Sequence, residues 1–416
     1  MNEQVEESCQ AKSMTRFAVV FIGQAFSLFG SRLVQFALVW WLTMESGSAS
    51  ALAFASIMAI LPQVLLGPFA GTLVDRWNRR TILMVSDGVI ALAVVVLALL
   101  FAQGSVQMWH IYVLMAVRSL GGAFQWPAMQ ASTSLMVPEE HLSRISGLNQ
   151  SLQGLANIVA PPLGALLLEL IPIQNILAID VSTAILAIGP LFFISIPQPR
   201  REASAEGRPS VLADLREGFR FVWGWKGLMM IVGIALVINL LTNPAFTLLP
   251  ILVTNHYNGG AIELAWFQSA NGVGMIAGGI LLGVWGGFKS RIKTAMSAMI
   301  IMGGGLLIFS FLPGDALLLG VGLLFVFGTM NSIANASFFA LLQATVPADM
   351  QGRVFTMMMS LIMSMTPVGL ALAGPVADLF GLRIWYTVAG VVMIIMSVGA
   401  LFVPTIRQLE EESPNS

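Results

Sequence analysis

The chain has 416 residues, of which 57% are apolar and 10% charged, with 20 Lys and Arg against 21 Asp and Glu. Soluble domains carry about a quarter of charged residues, so this balance and a mean hydropathy of +0.84 exclude a soluble enzyme, a disordered chain and a nucleic-acid binder with a basic face. The single cysteine, Cys9, excludes a disulfide framework, and the scattered His110, His141 and His256 offer no metal or haem site.

A polytopic membrane protein remains. A helix needs roughly 20 apolar residues to cross the hydrocarbon core. Twelve such runs follow one another: 17–42, 49–73, 81–102, 109–134, 144–169, 173–196, 227–254, 262–286, 293–312, 315–343, 353–379 and 383–404. Residues 1–16 and 405–416 are expected as tails. The first run follows Lys12 and Arg16, but it is too long for a signal-peptide core and lacks a cleavage site, so it reads as a retained span. With the N-terminus placed in the cytoplasm, the inner segments hold 17 of the 20 basic residues and the outer loops only Arg383. Arg32 and Arg118 lie inside spans. The positive-inside rule is thereby met, with both termini cytoplasmic.

Span two ends in Gly67-Pro68-Phe69-Ala70-Gly71 and is followed by Gly71-Thr72-Leu73-Val74-Asp75-Arg76-Trp77-Asn78-Arg79-Arg80. Gly67 and Gly71 are expected to let two helices approach closely. Asp75 can accept from the free N–H groups of a helix start, where the dipole favours a carboxylate. Span three carries Asp87, span four Arg118, span five Ala160-Pro161-Pro162-Leu163-Gly164-Ala165, and span six Asp180. Charges this deep are costly and mark function or a partner. At 1.5 Å per residue, Arg118 and Asp180 lie roughly 13 and 10 Å below the outer ends of their helices, with Arg32 at a comparable level. Asp180 is therefore expected to pair with one of these arginines, which leaves Asp87 as the better titrating group.

The chain repeats. Val137 to Arg144 and Val346 to Arg353 both read V-P-x-x-x-x-x-R, 209 residues apart, each between corresponding spans. Two six-span halves of parallel topology follow, 17–196 and 227–404. Between them, 197–226 is a linker in which Val211, Leu212, Leu215, Phe219 and Val222 form an apolar stripe. It fits a short helix on the membrane surface or an ordinary solvated loop. In the second half Gly287 stands where Asp75 would align. There are no deep charges there, but Asn239, Asn243, Gln268, Asn271, Asn331, Asn335 and Gln343, each also able to bond between helices.

The loop 71–80 resembles the signature loop of the major facilitator superfamily, G-x-L-x-D-R-x-G-R-R/K, with Asn78 in place of a glycine. Asn tolerates left-handed backbone angles better than most residues, so the turn is expected to survive. Arg118 with Gly121 and Gly122 resembles a second motif of the family. Pro161 and Gly164 match its exporter motif, where Ala160 and Ala165 replace glycines. Together with Leu38 to Thr43, Ala178 to Val181 and Gly352 to Phe355, these stretches resemble the macrolide-efflux branch of the drug:proton antiporters.

The resemblance implies an all-α fold of twelve transmembrane helices as two six-helix pseudo-repeats. It implies a conformational lock of Gly71, Asp75, Arg76, Arg79 and Arg80, with Asp75 reaching the start of span eleven. It also implies an exporter-motif helix around Pro161, Pro162 and Gly164. Spans one, four, seven and ten line the cavity in the family. The cargo candidates are therefore Gln24, Gln35, Phe36, Gln125, Trp126, Asn239, Asn243, Phe246, Asn331 and Phe338. The proton-coupling candidates are Asp87, Arg118, Asp180 and Arg32.

The chain lacks a G-x-x-x-x-G-K-[S/T] loop, so ATP drive would need a partner chain. The expectation is a monomeric, cofactor-free, proton-driven exporter of drug-like amphiphiles in a bacterial inner membrane. The amide and aromatic lining of the second half favours a neutral, cationic or weakly basic cargo. An exporter of one endogenous siderophore or peptide, and a lipid transporter, are the competing readings. A membrane enzyme is disfavoured because no polar catalytic constellation occurs.

Overall fold

A computed structural model describes residues 2–74, 77–196, 220, 223, 225–346 and 348–405. Its helices are α1 (Asn2–Ser46), α2 (Ala49–Val74), α3 (Arg79–Ala102), α4 (Met108–Met136), α5 (Glu139–Leu170), α6 (Ile173–Phe193), α7 (Lys226–Thr247), α8 (Leu249–Tyr257), α9 (Ala261–Trp285), α10 (Arg291–Phe311), α11 (Leu317–Thr345), α12 (Ala348–Phe380) and α13 (Ile384–Phe402). The described residues contain no strand. Eleven stretches are long and apolar enough to cross a membrane. The remaining long helix, α4, has 29 residues but carries His110, Arg118, Gln125 and Gln130.

Residues 2–16 are helical and run on into the first span as the start of α1, as the helix-forming Glu, Gln and Lys of that stretch allow. Two expectations need correction here. Run 227–254 is not one helix: it breaks at Leu248, whose N–H still bonds the Pro244 carbonyl. Pro250, in the first turn of α8, has no N–H to continue the α7 ladder. Among the described residues Gly67 is not a close-approach site, since a Cβ there would meet nothing within 4 Å. The linker helix expected after Pro197 falls almost wholly outside the described residues.

Two compact units emerge, Met1–Glu45 with Ala55–Ala205 and Ser46–Phe54 with Glu206–Ser416. In the first, α1 lies on α6 through glycines. A Cβ on Gly23 would sit 2.8 Å from the Leu186 carbonyl oxygen, and one on Gly30 would sit 2.2 Å from Thr183 Oγ1. Val34, Leu38, Leu97, Ile111, Leu114 and Ile176 form a buried apolar cluster beside this seam. In the second unit, α9 and α11 meet backbone to backbone. Added Cβ atoms on Gly274, Gly278 and Gly328 would lie 2.2, 2.1 and 2.1 Å from the carbonyl oxygens of Phe325, Thr329 and Asn271. Gly303 of α10 and Gly390 of α13 form a similar seam. Small residues at such seams substitute for a hydrophobic drive that lipid does not supply. The second unit also includes the hydrogen bond from Ser50 Oγ to Asp378 Oδ2, 3.0 Å.

The basic loops tie helix ends together. Asn78 is not left-handed. At φ −68° and ψ 114° it caps α3, its side chain accepting from the N–H groups of Arg80 and Thr81. Arg79, 6% exposed, donates to the Ala131 carbonyl of α4 at 2.8 Å. Arg80 donates to the Leu191 and Phe192 carbonyls at the end of α6, where a cation suits the dipole. In the second unit Arg291, the first residue of α10, donates to the Ala340 carbonyl of α11 at 3.3 Å. Gly286 and Gly287 both have positive φ, 76° and 79°. Glycine takes up these left-handed angles without the steric cost that a side chain would bring. Asp75 and Arg76 lie outside the described residues, as do the side chains around the start of α12. The expected Asp75 contact therefore falls beyond them, and Gly71 is placed only as a residue of α2.

Candidate functional site

Each unit holds its own cavity. The first, about 510 Å³, runs along α1 from Phe21 to Arg32 and is closed by α4 and α5. Its wall is rich in amides: Gln24, Gln63, Gln125, Gln130, Asn149 and Gln153. Leu28, Trp126, Met129 and Leu152 supply apolar surface between them. Convergent polar groups set among apolar and aromatic faces are what orient a small molecule in a pocket.

Asp87 of α3 lies just behind this wall and is 3% exposed. Gln24 Nε2 donates to its Oδ2 at 2.8 Å and Gln125 Nε2 donates to its Oδ1. Gln125 Nε2 also lies 3.1 Å from Gln24 Oε1. Two amides of the cavity wall thus hold a buried carboxylate, a satisfied arrangement for an acceptor-only group. Arg118 meets Asp180 instead: Nη1 lies 2.9 Å from Oδ2, with both side chains largely buried. Ser31 Oγ donates to Asp180 Oδ1 at 3.2 Å, and Arg118 Nη2 donates to the Ser31 carbonyl at 2.9 Å. This network joins α1, α4 and α6. Arg32 takes no part in it and faces the cavity.

The second cavity, about 330 Å³, is lined by α7, α10, α11 and α12, with Met393 of α13. Asn239, Thr242, Asn331 and Asn335 are its polar groups. Met296, Met299, Met302, Met358, Met359 and Met393 make it flexible and polarisable, and Phe327, Phe338, Phe339 and Phe355 add ring faces. Most of the amides bond along their own helices: Asn239 Nδ2 to Ala235 O at 3.0 Å, and Asn335 Nδ2 to Asn331 O at 2.9 Å.

Of the expected cargo residues, Gln24, Gln125 and Trp126 line the first cavity, and Asn239, Asn331 and Phe338 the second. Phe36 is displaced from that role. It is 5% exposed and packs on Gly164, where a Cβ would come within 2.9 Å of its ring. Gly164, with Pro161 and Pro162 on the same helix, therefore serves to seat an α1 side chain on α5. Gln35 is half-buried, outside both linings. Asn243 bonds Asn239 O and Thr366 Oγ1, tying α7 to α12. Phe246 packs against the lining Phe327, centroids 4.8 Å apart and rings tilted by 47°. The sequence reading missed Gln63, Gln130, Asn149, Gln153 and the methionine lining. The helical cluster joining Gln24, Asp87 and Gln125 comes from three helices and has no single-helix period.

The Major Facilitator Superfamily profile matches residues 20–370. Macrolide efflux protein A of Streptococcus pyogenes is 30% identical over 395 residues, 95% of this chain and 97% of that one. The chain belongs to the Major Facilitator Superfamily, in the branch of the macrolide efflux proteins. Multidrug efflux pump Tap of Mycolicibacterium fortuitum is 30% identical over 396 residues, 92% of this chain and 94% of that one. Among solved structures, the nucleoside transporter NupG superposes with a TM-score of 0.68 at 12% identity, covering 94% of this chain and 100% of that one. That likeness supports the major facilitator fold alone. This facilitator is a multi-pass membrane transporter, not an enzyme.

Proposed function

We propose that this facilitator is a proton-coupled exporter of drug-like amphiphilic compounds, macrolide-type molecules among them. It works as a single chain by alternating access in a bacterial inner membrane, with both termini cytoplasmic and no bound cofactor. The relatives named for macrolide and multidrug efflux support the direction and the class of cargo. The coupling rests on one observation: Gln24 and Gln125 contact both the buried Asp87 carboxylate and the cavity.

An ionised carboxylate only accepts hydrogen bonds, so both glutamine NH₂ groups turn to it. Adding a proton makes one Asp87 oxygen a donor. A glutamine carbonyl must then turn toward it, and that glutamine presents its NH₂ to the cavity instead. Proton and cargo thereby compete for the same two amides, as an exchange carrier requires. The Arg118–Asp180 pair already satisfies its charge and has a structural role in this scheme.

The test uses everted vesicles with an imposed pH gradient and a radiolabelled macrolide. Wild-type vesicles accumulate the compound only with the gradient. Asp87→Asn abolishes gradient-driven accumulation while downhill exchange persists. Undiminished, gradient-dependent accumulation in Asp87→Asn would refute the assignment of Asp87.

A further inference from the structure

Arg32 is a cation that the coupling scheme leaves unused. It lines the first cavity beside Ser31, Gln63 and Gly122. Among the described residues no carboxylate or carbonyl bonds its guanidinium, and its charged neighbour is Arg118, already engaged by Asp180. A guanidinium does not escape its charge by losing a proton. An unpaired cation within a membrane segment is costly and marks a substrate path.

The fold does not demand this charge. In the second unit, Thr242 stands 210 residues after Arg32, on the repeat helix α7 and likewise on a cavity wall. Its hydroxyl bonds its own helix at the Ile238 carbonyl, 2.7 Å. The reason for Arg32 therefore lies in what enters the cavity.

The lining along α1 from Phe21 to Arg32 covers eleven residue steps, roughly 16 Å at 1.5 Å each. Leu28, Trp126 and Met129 give that length an apolar flank, and Arg32 closes one end. The planar guanidinium fork matches a carboxylate in two parallel hydrogen bonds. We infer that the first cavity binds carboxylate-bearing amphiphiles, the carboxylate on Arg32 and the apolar body along Leu28, Trp126 and Met129. The inference rests on the preceding reading only in taking this cavity as a cargo site. It needs no proton coupling. It adds acidic amphiphiles to the neutral or cationic cargo expected from the lining of the second half.

The experiment is equilibrium binding to the full-length protein in phosphatidylcholine nanodiscs, without any gradient. The probes are submicellar radiolabelled cholate and its methyl ester, alike except for the charge. Wild type binds cholate about tenfold or more tighter than the ester, the scale of a charge-assisted bond. Arg32→Gln removes the preference and keeps ester affinity within about twofold, which also shows that the variant is folded. Arg32→Lys keeps part of the preference. Equal affinity of acid and ester for wild type, an unchanged preference in Arg32→Gln, or no binding of either probe overturns the inference. So does loss of cholate binding on adding a trace of phosphatidylglycerol, which would give Arg32 to a lipid headgroup. Failure here leaves the vesicle result standing, and the converse holds.

Discussion

Two cavities, one in each unit, are cut from the same register. Gly122, Gln125, Trp126, Met129, Gln130 and Thr133 on α4 stand 209 residues before Asn331, Ala334, Asn335, Phe338, Phe339 and Leu342 on α11, and all twelve line a cavity. The first residues of α3 and α10, Arg79 and Arg291, each donate to the neighbouring repeat helix, 212 residues apart. At that same offset Asp87 corresponds to Met299, while Gln24 corresponds to Ile234 at the 210-residue offset of Arg32 and Thr242, and Gln125 to Ala334 at the 209-residue offset of α4 and α11. All three counterparts line the second cavity. Arg118 corresponds to Phe327, 209 residues on. The backbone thus supplies a pocket at one place in each copy. The polar cluster was placed in the first copy only. Charge handling and apolar contact are separable properties on one repeated scaffold.

Breaking the charge network of the first unit should have the largest effect. Asp180→Asn leaves Arg118 with a buried, uncompensated charge, a loss of about 3–5 kcal/mol. We expect a pronounced fall in thermal unfolding temperature in detergent, whereas Phe327→Leu, at the repeat position of Arg118, stays close to wild type. Similar losses for both would mean that the network is not what distinguishes the units.

Next comes the glycine seam of the second unit. Gly278→Ala places a methyl group against the Thr329 carbonyl and should cost about 1–3 kcal/mol as overpacking. Gly283→Ala, where a Cβ meets nothing within 4 Å, should stabilise or leave the helix unchanged. Thermal melts of the two variants compare them directly. A more modest change is expected from Phe338→Ala, which enlarges the second cavity and removes a ring face. Cargo affinity should fall about three- to tenfold, with pH dependence unaltered. A shifted pH dependence would blur the division between the cavities. The smallest effect belongs to Thr242→Val. Its hydroxyl serves only its own helix among the described bonds, so stability should change by about 0.5 kcal/mol or less. Acid and ester probes should bind it as they bind wild type.

Span number and the repeat were legible because both are written in single-chain patterns: apolar runs of fixed length and one motif recurring at a fixed offset. The depth argument likewise brought Arg118 level with Asp180, since helix rise is constant. What failed needed neighbours. Phe36 has the same composition signal as a cavity aromatic, and only its position over Gly164 shows it packed away. Asn78 was read for its tolerance of left-handed angles, while its side-chain oxygen was serving as a helix cap. Gly67 looked like a contact glycine, but among the described residues the close contacts fall at Gly23, Gly274, Gly278 and Gly328, where a facing carbonyl decides the matter.

The polarity of α4 bears on how the chain is made. Helices leave the ribosome one at a time, and a mid-helix arginine opposes entry into the bilayer by about 2.5–3.5 kcal/mol on the insertion scale. The Ser31 carbonyl, one of the Arg118 acceptors, is already in place on α1 when α4 emerges. The counter-charge is not, because Asp180 is translated 62 residues later. Until α6 arrives, α4 is a reluctant guest that α1 must help to hold. The first assembly in which every deep charge of this unit except Arg32 has a partner is therefore the complete set α1–α6, so membrane insertion of this half is expected to be completed as a block rather than helix by helix.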